Sequence, residues 1–152
     1  MTTKLISMCW MRALCVPVLG GLAVLWSGCY GGPVNLPAEQ VTENVSFSQQ
    51  IQPIFDQRCT VCHVLGGFAL GFVSLELTEG DSRAMLVGQA SSQDAAHTLV
   101  VPGDSSLSLL FLKVSSNDPP VGATMPLFGG ERLTSEELAL MRDWIDQGAP
   151  DN

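Results

Sequence analysis

Between Val45 and Pro150 the hydrophobic positions recur at helical spacing. Phe47, Ile51, Ile54 and Phe55 fall on one face of a helix. Ser46 stands in front of them as an N-cap, with Gln49 at the capping-box position. Pro53 interrupts the run and predicts either a kink or a second segment that starts at the proline. A weaker pattern, with Ala84, Met85 and Val87 apolar, predicts a helix over residues 79–87. Further on, Pro102-Gly103 turns the chain and Asp104 or Ser105 caps a helix. Its stripe Leu107, Leu110, Phe111 and Val114 follows the i, i+3, i+4, i+7 rule. The last helix carries the fullest set of local signals. Thr134 and Glu137 form a capping box, Leu133 and Leu138 a hydrophobic staple, and Leu138, Met141, Trp144 and Ile145 an apolar face. Gly148 and Pro150 then stop it. No stretch sustains strand alternation. The pattern predicts an all-α domain over residues 45–150, with three to five helices and long Gly/Pro-rich loops around a small core.

The first 28 residues belong to a different class. Lys4 and Arg12 precede the apolar run "ALCVPVLGGLAVLW", which is too short to span a bilayer comfortably and is broken by Pro17, Gly20 and Gly21. This is an export signal, and "LWSGC" at its end is similar to the lipobox of bacterial lipoproteins. That resemblance implies lipidation of Cys29 as the mature N-terminus and attachment to a membrane in the cell envelope; Trp26 stands where the motif usually has leucine. Cleavage by ordinary signal peptidase, leaving Cys29 as a free thiol, is the alternative. Residues 29–44, with "YGGPVNLPAEQVTEN", read as a lipidated start and flexible tether; a short arm lying on the domain is the alternative.

Charge narrows the partners. Without Lys4 and Arg12 the chain carries 5 basic and 15 acidic side chains, a net charge of −10. Such a surface repels nucleic acid and shows no basic patch, so nucleic-acid binding is set aside.

Of five cysteines, Cys9 and Cys15 lie in the leader. With Cys29 lipidated, Cys59 and Cys62 are left, in "RCTVCH". A structural zinc site needs four thiolate or imidazole ligands. This chain offers Cys59, Cys62, the adjacent His63 and a remote His97, and neighbouring side chains converge poorly on one tetrahedral ion. A dithiol exchange site sits where a strand meets a helix in a βαβ unit, which this pattern lacks. A covalent haem uses all three residues: the two thiols become thioethers and His63 supplies an axial nitrogen. Export agrees, because this attachment is made outside the bacterial cytoplasm. For the second axial position Met125, in "VGATMPLFGG" just before the last helix, is a soft neutral donor that raises the potential. His97, in the polar run "SSQDAAHTLV", is the rival ligand. Met85 and Met141 sit on predicted helix faces and read as packing residues.

"IQPIFDQRCTVCHV", "VVPGDSSLSLLFLKV", "GATMP" and "LTSEELALMRDWIDQGAP" stand in an order that resembles bacterial monohaem cytochrome c domains, over about residues 46–150. The resemblance implies a class I cytochrome c-like fold wrapped around one covalent haem c, with the first and last helices crossing beside it. It implies Cys59 and Cys62 as thioether anchors, His63 as proximal and Met125 as distal ligand to the iron, and Trp144-Ile145 packed on Ile54 and Phe55. Pro102 is carried over as the residue whose carbonyl accepts the haem histidine's proton. Val64 departs from the glycine usual after that histidine. The implied activity is single-electron exchange with envelope redox proteins, with no catalytic base or nucleophile. A sensor or peroxide-reactive enzyme with open iron, or a subunit of a larger oxidoreductase, are the alternatives.

Overall fold

The computed structural model describes residues 41–128 and 130–152. The expected export leader, Cys29 and the expected tether as far as residue 40 lie outside them. Among the described residues there are short helices and no strand, and no helix is long and apolar enough to cross a membrane.

A wide π-type turn, Phe47–Ile51, runs directly into α1, Gln52–Arg58. Ser46 caps the turn as its position predicts, its hydroxyl accepting from Gln49 N at 3.3 Å. The reciprocal bond comes from the next residue: Ser46 N donates to Gln50 Oε1 at 2.8 Å. A turn widened by one residue shifts the partner by one residue. Pro53 lies in the first turn of α1, where its missing N–H removes no intrahelical bond. It therefore marks the start of a second segment.

The helix predicted over residues 79–87 is shorter, α2, Ser82–Leu86. Its end turns into an irregular loop that pairs with itself: Gly88 N donates to Val100 O at 2.9 Å and Ser91 N to His97 O at 2.8 Å. The predicted stripe from Leu107 splits in two. Asp104 caps only one tight turn, Ser105–Leu107, and an extended Ser108 resets the phase before α3, Leu109–Ser115. Leu107 is consequently exposed (61%), and the buried set becomes Leu109, Leu110, Lys113 and Val114. No side chain caps α3. Its first N–H groups are taken by the loop, Leu109 N donating to Thr98 O and Leu110 N to Leu99 O.

The last helix, α4, is Ser135–Asp146. Its capping box is complete: Glu137 N donates to Thr134 Oγ1 at 3.2 Å and Thr134 N to Glu137 Oε2 at 2.7 Å. Gly148, at φ +95°, lets the chain reverse; Ala149 N reaches Trp144 O and Gly148 N reaches Ile145 O, both at 2.9 Å. That pair of bonds is a Schellman motif, and buried Ala149 completes its apolar contact.

Trp144, Ile145, Ile54 and Phe55 share the buried core, and the Trp144 ring lies 5.2 Å from that of Phe47. The two ends of the described segment are tied across it. Thr42 N donates to buried Asp143 at 2.6 Å, Gln147 Nε2 to Thr42 O at 2.6 Å, and Phe47 N to Asn152 Oδ1 at 2.7 Å. The chain is thus already on α4 at Thr42, earlier than the tether boundary at residue 44 expected from composition. A run of Gly, Pro and polar residues gives no hint of main-chain bonds to a distant helix.

Thr134→Ala removes the cap acceptor of α4 and is expected to lower stability by about 1 kcal/mol. Urea unfolding checks this, with the midpoint falling at unchanged m-value.

Candidate functional site

Where α1 ends, the chain folds over its own C-terminus. Cys59 is the capping residue, and Cys62 N and His63 N both donate to Cys59 O, at 3.0 and 2.9 Å. Thr60 closes the same turn, its hydroxyl donating to Asp56 O at 2.8 Å. Arg58, one position before, is anchored to the start of α4 through Glu137 at 3.1 Å and to the loop before it through Glu131. The direction in which α1 releases the motif is therefore set by a helix that begins 77 positions further on. Beyond the motif, Gly67 sits where the chain doubles back: a Cβ there would lie 2.5 Å from Cys62 O and 2.8 Å from Val64 O.

His63 is clasped by the segment that follows. Leu77 N donates to His63 O at 2.9 Å, and His63 Nδ1 lies 3.1 Å from Leu75 O. A carbonyl oxygen can only accept, so Nδ1 donates, and in the neutral ring Nε2 is the nitrogen with the free lone pair. This is the arrangement that orients an imidazole toward a metal and raises its basicity. The carbonyl is that of Leu75. Pro102, carried over for this role, instead forms part of a turn that docks on α4, where Gly103 N donates to Ile145 O at 2.8 Å. A single extended residue sequence places no constraint on which carbonyl meets the ring, so only the fold could choose.

Cys59, Cys62, His63 and Met125 line one cleft of about 710 Å³, within the range of about 300–1,000 Å³ usual for small-molecule and cofactor sites. Most of the wall is apolar, supplied by residues such as Leu75, Leu99, Leu110 and Val114. Phe68, Phe72 and Phe128 also line it and are 56%, 73% and 83% exposed. Their rings touch, Phe68 lying 5.0 Å from Phe72 and 5.7 Å from Phe128. A cluster of bare aromatic faces around a groove is the mark of a surface that something covers.

Met125 comes from the loop between α3 and α4, preceding a cis peptide bond to Pro126. Its N–H donates to Lys113 O at 2.8 Å, which fixes it to the end of α3. Met141 is buried in the core, as its helix face predicts. Met85 differs from expectation: it lines the cleft and brings a second thioether to its wall. The short α2 turns that face toward the groove where a longer helix was predicted to pack. His97 does not line the cleft; its Nδ1 lies 3.2 Å from Asp94 Oδ2 on the loop surface.

Both Cys59 and Cys62 are free thiols. Burial, reinforced by the nearby Glu137 carboxylate, pushes the Cys59 thiol up to about 12. A thiol so held is protonated at neutral pH, the opposite of the depressed value that thiol–disulfide exchange uses. Among the described residues no three His, Cys, Asp or Glu side chains are grouped so as to hold a metal ion. What the cleft offers is two thiols, one imidazole nitrogen and two thioethers on a mostly apolar wall. That donor set and that wall fit a covalently held haem better than a zinc ion or a dithiol.

Beyond the sequence reading, the fold adds Leu75, Met85 and Lys113 to the site. Only Lys113 left a sequence signal, a charge inside the apolar run "SLLFLKV". No protein-family model, curated protein or solved structure matches the chain.

Gly67→Ala forces backbone apart at the motif turn and is expected to destabilise the domain by about 1–3 kcal/mol. Denaturant unfolding against the parent protein tests it, and an unchanged midpoint would show that the turn yields freely.

Proposed function

We propose that the protein is a monohaem c-type cytochrome, tethered by lipid at Cys29 in the bacterial cell envelope, that exchanges single electrons with other envelope redox proteins. The observation carrying this is that Cys59, Cys62, His63 and Met125, dispersed over 67 positions of sequence, meet on one apolar cleft. When bound, the haem supplies an iron that changes oxidation state by one electron. The rest of the work belongs to the chain. Cys59 and Cys62 would anchor the ring, each thiol adding its sulfur and its proton across a vinyl group to give a thioether. His63 would hold the iron through Nε2, its other nitrogen being engaged by Leu75 O. Met125 offers a neutral sulfur that favours the ferrous state. Its main-chain bond to α3 limits how far it moves between the two states.

The apolar wall excludes water, and the exposed phenylalanines at the groove gain cover from the ring. On this reading the fold is a small class I cytochrome c-like one, with the first and last helical segments crossing. No group with the position of a catalytic base is required, and His97, paired with Asp94, supplies none to the cleft. The acidic surface favours a basic docking face on a partner.

Expression with haem-attachment machinery tests the reading. The denatured chain should retain haem with a c-type reduced spectrum, and the oxidised protein should show the weak near-infrared methionine–iron band. Met125→Ala should abolish that band and lower the midpoint potential by on the order of 100 mV, a part of the roughly 0.8 V that axial ligation spans. Persistence of the band would move the ligand to Met85. High-spin iron in the parent protein would point to ligand sensing or peroxide chemistry, and absence of covalent haem would end the proposal.

For the tether, Cys29→Ser should release the protein from membranes into the soluble fraction. Undiminished membrane partition would refute lipidation at that position.

A further inference from the structure

Lys113 is 8% exposed, lines the cleft, and has no carboxylate partner. Its Nζ donates to two neutral oxygens, Val121 O at 2.7 Å and Gln93 Oε1 at 3.3 Å. Other described cations are answered: Arg58 by Glu131 and Glu137, Arg83 by Asp151, Arg142 by Asp143. Arg132 lacks a carboxylate too but is exposed to solvent. A buried ammonium without a counter-ion is costly. The setting sharpens the point, because acids outnumber bases in this chain by 15 to 7 and none has been placed beside it.

The neighbouring wall is polar as well. Gln89, Ser91 and the exposed Ser92 and Gln93 line the same cleft. Gln93 Nε2 and the Ser92 hydroxyl have no partner among the described residues, so both remain available as donors. An occupant that satisfies this cleft has an apolar body and an anionic edge.

Resting on the haem reading, we propose that Lys113, with the Gln93 amide and the Ser92 hydroxyl, forms a carboxylate subsite that holds one haem propionate. Lys113 then has two jobs. Its main-chain carbonyl fixes Met125, and its ammonium fixes the edge of the ring, so a single residue of α3 sets the methionine and the haem plane relative to each other. It is a positioning residue. A purely structural Lys113 would only clamp residues 121–125 to α3.

Those alternatives separate in the unmodified holoprotein. Lys4 lies in the leader, so Lys113 is the only lysine of the processed chain, and nitrogen-15 lysine reports on it alone. Carbon-13 in the haem carboxyls, introduced through labelled aminolaevulinate, provides the other spin. Double-resonance solid-state NMR on the ferrous protein should show one carboxyl dephased by the lysine amine at salt-bridge range, about 4 Å or less between nitrogen and oxygen, and the other not. Contact with neither carboxyl overturns the subsite. Lys113→Gln, which keeps a donor for Val121 O, should displace one carboxyl resonance and leave the second in place, and Lys113→Arg should restore it. If both resonances stay put in Lys113→Gln while the methionine–iron band is lost, Lys113 is the clamp alone. A chain with no covalent haem would instead refute the functional reading on which the subsite rests.

Discussion

The seating of Trp144 against the N-terminal turn is the contact on which the remaining structure depends. Trp144 is fully buried, its ring set against Phe47, and its indole N–H donates to Pro150 O at 3.1 Å. Burial of so large a side chain is worth several times the free energy of any single hydrogen bond in the domain. It locks α4 to the turn that opens α1. The Arg58 ion pairs and the Asn152, Gln147 and Asp143 ties then fix what the apolar contact has brought together. Because α1 is only two turns long, any tilt at Phe47 passes directly to Cys59 at its other end.

From that frame two straps run out to the cleft. Residues 63–77 are stitched by bonds at both ends of His63, and residues 121–125 are stitched to Lys113 by its amine and its carbonyl. Neither strap is regular secondary structure. Each is held by main-chain groups that find fixed partners, which is how an irregular loop can present a side chain reproducibly. The shape of the core follows. Leu77, Leu110, Val114 and Leu133 belong to the core and also line the cleft, so the packed interior and the binding surface share residues. A group filling the groove would extend the apolar interior, a large gain for a domain of about a hundred residues.

The local signals were written in the chain. The α4 capping box and staple, the Schellman stop and the cap at Ser46 need only residues within a few positions of one another, and each is where the sequence puts it. So is the separation of Met141 into the core. Periodicity failed where a helix was too short for its period to outvote a tight turn, at Leu107 and around Met85. That Cys59, Cys62 and His63 stand together could be read because the three fall within five positions of sequence, and the turn at the end of α1 keeps them on one side of the cleft.

Tertiary structure decided everything that joins distant residues through groups common to every amino acid. Leu75, not Pro102, meets His63 because a backbone carbonyl carries no side-chain signature. His97 was a plausible donor by type, but the loop that pairs residues 86–91 with 97–100 turns it to Asp94 and away from the cleft. Lys113 lies beside Gln93 and Met125 only because α3 packs against the loops that bear them. Sequence determines what each residue can donate, accept or bury. Which residues face one another across a cleft is fixed only when the whole chain has chosen the packing that buries its apolar surface and leaves its polar groups paired.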